Sequence, residues 1–390
     1  MDLILIGIIA VVAMALLFDF TNGFHDAANS VSTVVATRAL PAKWAPPFSA
    51  AFNFLAFFIV GTAVANTIAK TVQSSTITTT LIFCALFAAI AWNFITWRVG
   101  MPSSSSHAVI GGLVGAGIAA GGFAAISWGS VQKATIGIFA SPLIAFAVAF
   151  IAMYLVLGIQ KLTKAPDNHP VFKGLQVVSA GALSFGHGAN DAQKTMGVIA
   201  ALLLGAGYTT ADAKGNVGVP MWVGLASYLA IAIGTWWGGW RIIETMGLKL
   251  TTLHANSGVA ANIGANTAIF GATMAGVPIS TTHAAASSIL GAGIGSGMGA
   301  RWKVVGEMVL AWIVTIPAAG IMAFVFFEIT RLPSALAWVI MGALLVGFAA
   351  WAIYAMRHTI HAKDVEEELP PTAELATHVP GRPHLTDTAA

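Results

Sequence analysis

Two short motifs place an aspartate inside otherwise apolar stretches of the chain. The first is Asn22-Gly-Phe-His25-Asp26-Ala-Ala-Asn29, and the second is Ser184-Phe-Gly-His187-Gly-Ala-Asn190-Asp191-Ala-Gln-Lys194. On insertion scales an acid in a membrane segment costs roughly 2.5–3.5 kcal/mol, so Asp26 and Asp191 are expected to face a partner, a cavity or a substrate. The alternative for either motif alone is an internal ion pair or a hydrogen bond that serves packing.

A second pair of motifs combines proline, hydroxyl side chains and histidine. It reads Pro102-Ser-Ser-Ser-Ser-His107 in one place and Pro278-Ile-Ser-Thr-Thr-His283 in the other. A proline followed by hydroxyl residues predicts the start of a helix, where free backbone N–H groups and the helix dipole converge on one point. Such a point binds anions, although simple helix capping explains either copy without a ligand.

The two pairs of motifs form an internal repeat. The aspartate motifs are 165 residues apart and the histidine motifs 176 residues apart, in the same order along the chain. The repeat predicts two transmembrane halves, residues 1–160 and 161–356, followed by a soluble tail, residues 357–390. The tail after His361 is acidic and contains two adjacent prolines, so we expect it to be disordered.

The elements that carry these motifs are predicted to be membrane helices. The chain is 57% hydrophobic and only 8% charged, with a mean hydropathy of +0.83, and its long apolar runs exclude a membrane β-barrel and a single-span anchor. The fold class is therefore an all-α polytopic protein of the inner (cytoplasmic) membrane, surrounded by lipid, with about 10–12 segments in two repeats. Residues 174–186 and 192–207 are too short to span alone and predict broken helices or hairpins.

The same residues indicate what the site binds. Two helix starts that bind an anion next to two acids require a cation, because bare carboxylates repel an anion. The candidates are protons, sodium, a divalent metal ion held by oxygen ligands, and the ammonium of Lys194. Candidates for coupling or proton handling are His25, His107, His187, Asn190 and His283, and satisfied core histidines are the alternative. No resident cofactor is expected, and no basic cluster with interleaved aromatics suggests nucleic acid.

These four ordered motifs resemble the signatures of the PiT family of inorganic phosphate transporters. The resemblance covers roughly residues 1–356 and implies an inverted-repeat helical fold that is usually dimeric, with phosphate bound between the repeats. Carried onto this chain, it nominates as phosphate-binding residues Asp26, Asn29, Ser105, Ser106, Asp191, Thr281 and Thr282.

One position departs from the pattern of sodium-coupled members. They repeat an asparagine three residues after the second aspartate, whereas this chain has Lys194, preceded by Gln193. The Gln-Lys form resembles the bacterial low-affinity branch, which implies proton drive and a metal-phosphate cargo. A buried ammonium also supplies positive charge that a sodium ion would otherwise supply. Lys194 is therefore added to the candidate substrate-binding residues. Sodium-coupled phosphate transport and proton-coupled sulfate transport remain the alternatives within the same fold.

Other classes of function are weighed against this one. In an intramembrane hydrolase, His25, Asp26, His187 and Asp191 would bind a metal ion that activates water, but duplicated hydroxyl motifs do not suit a site with one open position. Titratable groups at membrane depth favour coupled transport over a passive channel. The sequence lacks a Walker A loop, so ATP drive within this chain is not expected and the chain is not expected to be an enzyme.

Overall fold

The computed structural model describes residues 3–369, and within them the chain is helical, without a β-strand. This confirms the all-α class. The helices are α1 (Leu3–Ala36), α2 (Ala45–Leu55), α3 (Ala63–Ala69), α4 (Thr79–Arg98), α5 (Ser105–Gly121), α6 (Trp128–Thr163), α7 (Pro170–Gly205), α8 (Met221–Trp237), α9 (Trp240–Glu244), α10 (Ala255–Met274), α11 (Thr281–Gly295), α12 (Trp302–Thr330), α13 (Ser334–Arg357) and α14 (Ala362–Glu368).

Five of the described helices are long and apolar enough to cross a membrane, namely α1 from Ile4, α4, α6, α12 and α13. A sixth candidate span is broken, because the segments Ala42–Phe58 and Ala63–Ala69 meet at an angle of 87°. The remaining helices of membrane length or nearly so are α5, α7, α8, α10 and α11, which are shorter or more polar. Length and composition thus support five or six spans among the described residues, and the count of 10–12 segments remains a prediction. Of the shorter or more polar helices, α5, α7 and α11 carry sequence motifs.

The prediction of a break between residues 174–186 and 192–207 is wrong, because α7 runs without interruption over 36 residues. The glycines of its motif serve close packing. A Cβ atom added to Gly188 would overlap the backbone of Asn53 in α2, so the glycine lets the two helices approach each other. Likewise α1 continues through the first aspartate motif to Ala36. Both acids therefore lie on continuous helices.

The two sequence halves interleave. α1 packs against α8, and α7 packs against α2, so each of these long helices contacts the opposite half. The helices α5 and α11 do the same, since α5 packs along α12 and α11 packs along α6. The inverted relation between the halves remains a prediction, and the predicted boundary after residue 160 falls in the last turn of α6.

The tail departs from the expected disorder over its first part. Residues 362–368 form α14, whose Val365 is 1% exposed. Arg38 donates a hydrogen bond from Nη2 to the carbonyl oxygen of Leu369, which holds the end of this segment against the loop after α1. The expected disorder after His361 is therefore wrong for residues 362–368, where His361 also caps the helix by donating its N–H to Asp364 Oδ2 at 2.7 Å. Residues 370–390 lie outside the described part of the chain.

Small residues set the distance between α5 and α12. A Cβ atom added to Gly115 would overlap the carbonyl oxygen of Gly320, and one added to Gly111 would overlap the backbone of Ile316. In lipid, where helices gain little from apolar burial alone, such close backbone contact supplies much of the packing energy. The position of the α5 N-terminus therefore depends on this glycine contact.

We expect Gly115→Ala to destabilise the protein by about 1–3 kcal/mol, because the methyl group must push α5 away from α12. The matched control is Gly158→Ala in α6, where an added Cβ meets no atom within 4 Å. The thermal unfolding midpoint in detergent measures the difference. Equal midpoints for both variants would show that the α5–α12 contact is looser than its geometry indicates.

Candidate functional site

The two acids of the repeated motifs lie in the middle of α1 and α7, deep in the protein. Asp26 is 1% exposed and Asp191 is fully buried. The two long helices contact each other directly, so the acids come from neighbouring elements. The sequence prediction that these acids face partners inside the protein is consistent with this placement.

Two helix N-termini point at the same region. α5 begins at Ser105 and α11 at Thr281, as the proline-hydroxyl motifs predict. The side chain of Ser104 caps α5 by accepting the His107 backbone N–H at 3.2 Å, and Ser280 caps α11 in the same way at 3.1 Å. The first two backbone N–H groups of each helix have no acceptor within the helix, and they point out of its N-terminal end.

Hydroxyl groups of these helix starts donate hydrogen bonds to both acids. Ser105 donates to Asp26 Oδ2 at 2.9 Å, and Thr282 donates to Asp26 Oδ1 at 3.0 Å. Thr281 donates to Asp191 Oδ2 at 3.2 Å. Asp26 thus binds the first helix start and the second, although the two are 176 residues apart in the sequence.

Asn29 completes this contact between the halves. Its Nδ2 lies 3.2 Å from the hydroxyl oxygens of both Thr281 and Thr282 and donates to them. Six of the seven nominated residues therefore meet with Lys194 in one buried cluster. We call it the central cluster: Asp26, Asn29, Ser105, Asp191, Lys194, Thr281 and Thr282.

Lys194 forms an ion pair inside the protein. Its Nζ donates to Asp191 Oδ1 at 2.6 Å, and both side chains are fully buried. Its burial excludes a lysine whose side chain extends along the helix to the membrane interface. The ammonium neutralises Asp191 and places a fixed positive charge beside the helix starts.

Two of the predicted histidines adjoin the acids. His25 donates from Nδ1 to Asp26 Oδ1 at 2.7 Å, and its Nε2 lies 3.2 Å from the hydroxyl of Thr96 and 3.3 Å from that of Ser103. His187 places Nε2 3.6 Å from Asp191 Oδ2. Thr96 is a member of this network that the sequence does not reveal, because a lone threonine in an apolar helix has no distinctive pattern.

The other two histidines contact each other. The rings of His107 and His283 are perpendicular, with centroids 4.5 Å apart, and His283 stacks on Trp312 at 4.0 Å. Both rings are 2% exposed. They join α5, α11 and α12 just inside the two helix starts, so their geometry fits a packing role at least as well as proton handling.

Two nominated residues hold backbone atoms near the second helix start. Ser106 donates to the carbonyl oxygen of Ile279 at 2.6 Å, and Asn190 Oδ1 accepts the Ile279 N–H at 3.4 Å. Asn190 also donates to the Thr273 hydroxyl at 2.9 Å. The structure therefore separates Ser106 from its repeat counterpart Thr282, which contacts an acid.

Gln193 has a related positioning role that its place beside Lys194 did not reveal. Its Oε1 accepts the backbone N–H groups of Val64 and Ala65 at 2.9 and 3.3 Å. These groups belong to the start of α3, immediately after the bend of the broken span. Gln193 thus fixes the broken span against α7 at the level of the ion pair.

The central cluster also has the ligands for a divalent metal ion. Asp26, His187 and Asp191 each offer one ligand atom, and these atoms all lie within 4.8 Å of one another. Carboxylate and imidazole ligands suit first-row divalent metals, while phosphate oxygens would supply further ligands. Such an ion would compete with hydrogen-bond donors for Asp191, because Oδ1 already accepts from Lys194 and Oδ2 from Thr281.

The arrangement is suited to an oxyanion that brings protons or cations with it. Hydroxyl, amide and ammonium donors, together with the backbone N–H groups of two helix starts, converge within one cluster. The carboxylates beside them accept hydrogen bonds from an acidic oxyanion and repel a fully ionised one. A protonated phosphate satisfies both requirements, since it carries acceptor oxygens and P–OH donors.

Comparison with known proteins agrees with this chemistry. A family model described as "Phosphate transporter family" matches residues 22–323. A protein of Rhizobium meliloti (strain 1021) named "Probable low-affinity inorganic phosphate transporter" is 45% identical over 324 residues, covering 82% of this chain and 94% of its own. A Bacillus subtilis (strain 168) protein of the same name is 40% identical over 336 residues, covering 85% of this chain and 99% of its own.

A solved structure described as "The sodium-dependent phosphate transporter" shares the fold. It aligns with a TM-score of 0.72 over 86% of this chain and 99% of its own, at 23% sequence identity. Since the family and these relatives are transporters, the intramembrane hydrolase alternative is wrong and the chain is not an enzyme. The chain belongs to the phosphate transporter family, as a multi-pass membrane protein that carries phosphate.

Proposed function

We propose that this chain is a proton-driven symporter that binds phosphate at the central cluster. The observation that carries the proposal is the buried Lys194–Asp191 ion pair beside two helix starts whose hydroxyls reach both acids. It gives the site one fixed positive charge. The remaining negative charge of carboxylate and phosphate is then neutralised by protons.

Phosphate would bind by taking over donors that now serve the acids. The hydroxyls of Ser105, Thr281 and Thr282 donate to Asp26 or Asp191, and Asn29 donates to the two threonines. A phosphate oxygen accepts from the same groups and from the backbone N–H groups of both helix starts. A P–OH group donates to a carboxylate in return, which sulfate cannot do because its dianion has no proton.

Transport requires the helix starts to separate. The residues of the central cluster are at most 1% exposed, and α5 and α11 are joined through Ser106 and Ile279. Phosphate entry therefore breaks hydrogen bonds between the two halves, first on one side of the membrane and then on the other. Ligand-dependent exchange between two such arrangements is alternating access.

A divalent metal ion is a second candidate for the accompanying cation. The cluster of Asp26, His187 and Asp191 favours it, and the cargo would then be a metal-phosphate complex. In such a complex the metal ion would neutralise part of the negative charge of the carboxylates and phosphate, as the Lys194 ammonium does. Stimulation of phosphate uptake by a divalent metal, with equal uptake of that metal, identifies this cargo.

Both acids are expected to be essential. Asp26→Asn and Asp191→Asn each retain shape but lose the charge that the hydroxyls, His25 and Lys194 bind, so phosphate uptake into proteoliposomes falls to background. Each variant is compared with wild-type protein at equal amounts in the membrane. Full uptake by either variant removes that acid from the substrate site and leaves it a packing role.

The hydroxyl groups are expected to contribute to affinity. Thr282→Ala removes a donor to a charged group, and such bonds are worth about 1.5–3 kcal/mol, roughly tenfold to hundredfold in the half-saturation concentration. Ser106→Ala is the matched comparison, because Ser106 donates to a backbone carbonyl, and we expect a smaller rise. If Thr282→Ala leaves the half-saturation concentration unchanged, Thr282 only shapes the start of α11.

Proton coupling is tested by uptake under imposed gradients. In wild-type proteoliposomes we expect an inward proton gradient to drive phosphate accumulation without sodium. Lys194→Gln leaves the Asp191 carboxylate buried without its partner, which costs about 3–5 kcal/mol, so uptake should be lost. Lys161→Gln, at an exposed position of α6, serves as the control. Strict sodium dependence of wild-type uptake contradicts the proposal.

A further inference from the structure

A third acid lies near the central cluster. Asp19 is on α1, seven residues before Asp26, which places it about 10 Å away along the helix axis. Its side chain is fully buried, and neither carboxylate oxygen has a hydrogen-bond partner among the described residues. An acid in such surroundings is costly to keep charged, so its presence requires an explanation.

The side chains around Asp19 are polar and equally unsatisfied. Asn22 of α1 and Thr195 of α7 are polar side chains that act on Asp19 without reaching hydrogen-bond geometry, and Tyr228 of α8 is close enough to interact with its charge. The amide of Asn22, the hydroxyl of Thr195 and the hydroxyl of Tyr228 have no hydrogen-bond partner in the described part of the chain. Three helices thus contribute buried polar atoms to one small region.

Asp19 is linked electrostatically to the central cluster. The charged groups that act on it are Asp191 and Lys194, both from α7. Along α1, Asn22 lies three residues after Asp19 and four before Asp26, so the three side chains follow one face of the helix. α2 has no titratable residue, and Arg98 at the end of α4 follows Trp97, whose ring contacts Phe24 of α1.

The repeat makes this acid distinctive. The residue 165 positions later is Ser184, whose hydroxyl donates to the Ala180 carbonyl oxygen at 2.8 Å. The second half therefore has no equivalent acid. The region holds three carboxyl groups, Asp19, Asp26 and Asp191, against the single lysine ammonium of Lys194.

The three carboxyl groups have different surroundings. Asp26 accepts hydrogen bonds from His25, Ser105 and Thr282, and Asp191 accepts them from Lys194 and Thr281. Such bonds stabilise the ionised form of a carboxyl group. The Asp19 carboxyl receives no such bond. It is therefore the member of the three that is suited to carrying a proton.

We propose that Asp19 is the site of the coupling proton. The inference rests on the proposed proton-driven function and adds the group that performs the coupling. The Asp19 carboxylate takes one proton from water on the side where phosphate enters and becomes a neutral carboxylic acid. After the site opens to the other side, the same O–H bond breaks and the proton returns to water there.

The coupling between proton and phosphate is electrostatic. Phosphate adds negative charge beside Asp191 and Lys194 and so favours the neutral form of Asp19. By thermodynamic reciprocity, a proton on Asp19 favours phosphate binding by the same factor. Polar groups of Asn22, Thr195 and Tyr228 are available to bind the carboxylic acid and to exchange its proton.

The test separates phosphate movement from proton coupling. Asp19→Asn is reconstituted in liposomes and assayed in two ways. The first assay measures exchange of internal for external phosphate without a gradient. The second measures phosphate accumulation under an inward proton gradient, with a pH-sensitive dye inside the liposomes. We expect exchange to continue, while accumulation and phosphate-dependent acidification of the lumen fall to the level of protein-free liposomes. Asp19→Glu, which retains a titratable group, should restore both.

The matched control is Asp212→Asn in the exposed loop between α7 and α8. Backbone hydrogen bonding from Asn216 holds the pKa of Asp212 below its usual range, so this acid stays ionised throughout the assay. The same substitution there should leave both assays unchanged. A loss of accumulation in this control would show that removing any acid is harmful and would overturn the inference.

The possible failures are distinguishable. If phosphate accumulation by the wild-type protein does not depend on the proton gradient, the proposed function and this inference both fail. If wild-type accumulation is proton-driven and Asp19→Asn moves the same number of protons per phosphate, the inference alone fails. If Asp19→Asn does not insert, the pH profile of Asp19→Glu decides, because a moved carboxyl group must shift the profile, and an unchanged profile overturns the inference.

Discussion

The energetic penalty for a charge inside the membrane governs the architecture of this site. Asp26 and Asp191 lie in the middle of long helices where water is excluded, so each needs donors from neighbouring elements. The donors come from the starts of α5 and α11 and from Lys194, one turn after Asp191. The need to bring those helix starts to the acids explains why α5 and α11 begin inside the protein and why glycines line their packing surfaces.

A duplicated framework here carries unequal charges. The two halves share an acid, a helix start and a histidine at matching positions, yet the residue opposite Asn29 is Lys194, and the residue opposite Asp19 is Ser184. The second half therefore supplies the extra cation and the first half the extra acid. A symmetric site would bind its anion and its cations between equal partners, whereas this one separates a fixed positive charge from a carboxyl group without donors.

The sequence predicted those parts of the candidate site that depend on local pattern. An acid in an apolar run and proline followed by hydroxyls have direct physical consequences, so the buried acids and both helix starts were identified by residue number. Contacts between the two halves could not be predicted from the sequence. The sequence pattern does not show that Thr282 donates to Asp26, whereas Ser106 donates to a backbone carbonyl oxygen. Continuity of α7 was missed because glycine weakens a helix in isolation, whereas here Gly188 improves packing against α2. Asp19 did not stand out in the sequence because it has no counterpart in the repeat.

The interleaving of the halves has a consequence for motion. Since α5 packs along α12 and α11 along α6, each helix start moves with a long helix of the opposite half. The hydrogen bonds of Asn29 and Ser106 cross the same boundary near the acids. A displacement of one helix start must therefore shift a helix of the other half, because α5 and α12 are in close backbone contact at their glycines. Alternating access, as proposed for this chain, would therefore move elements of both halves together.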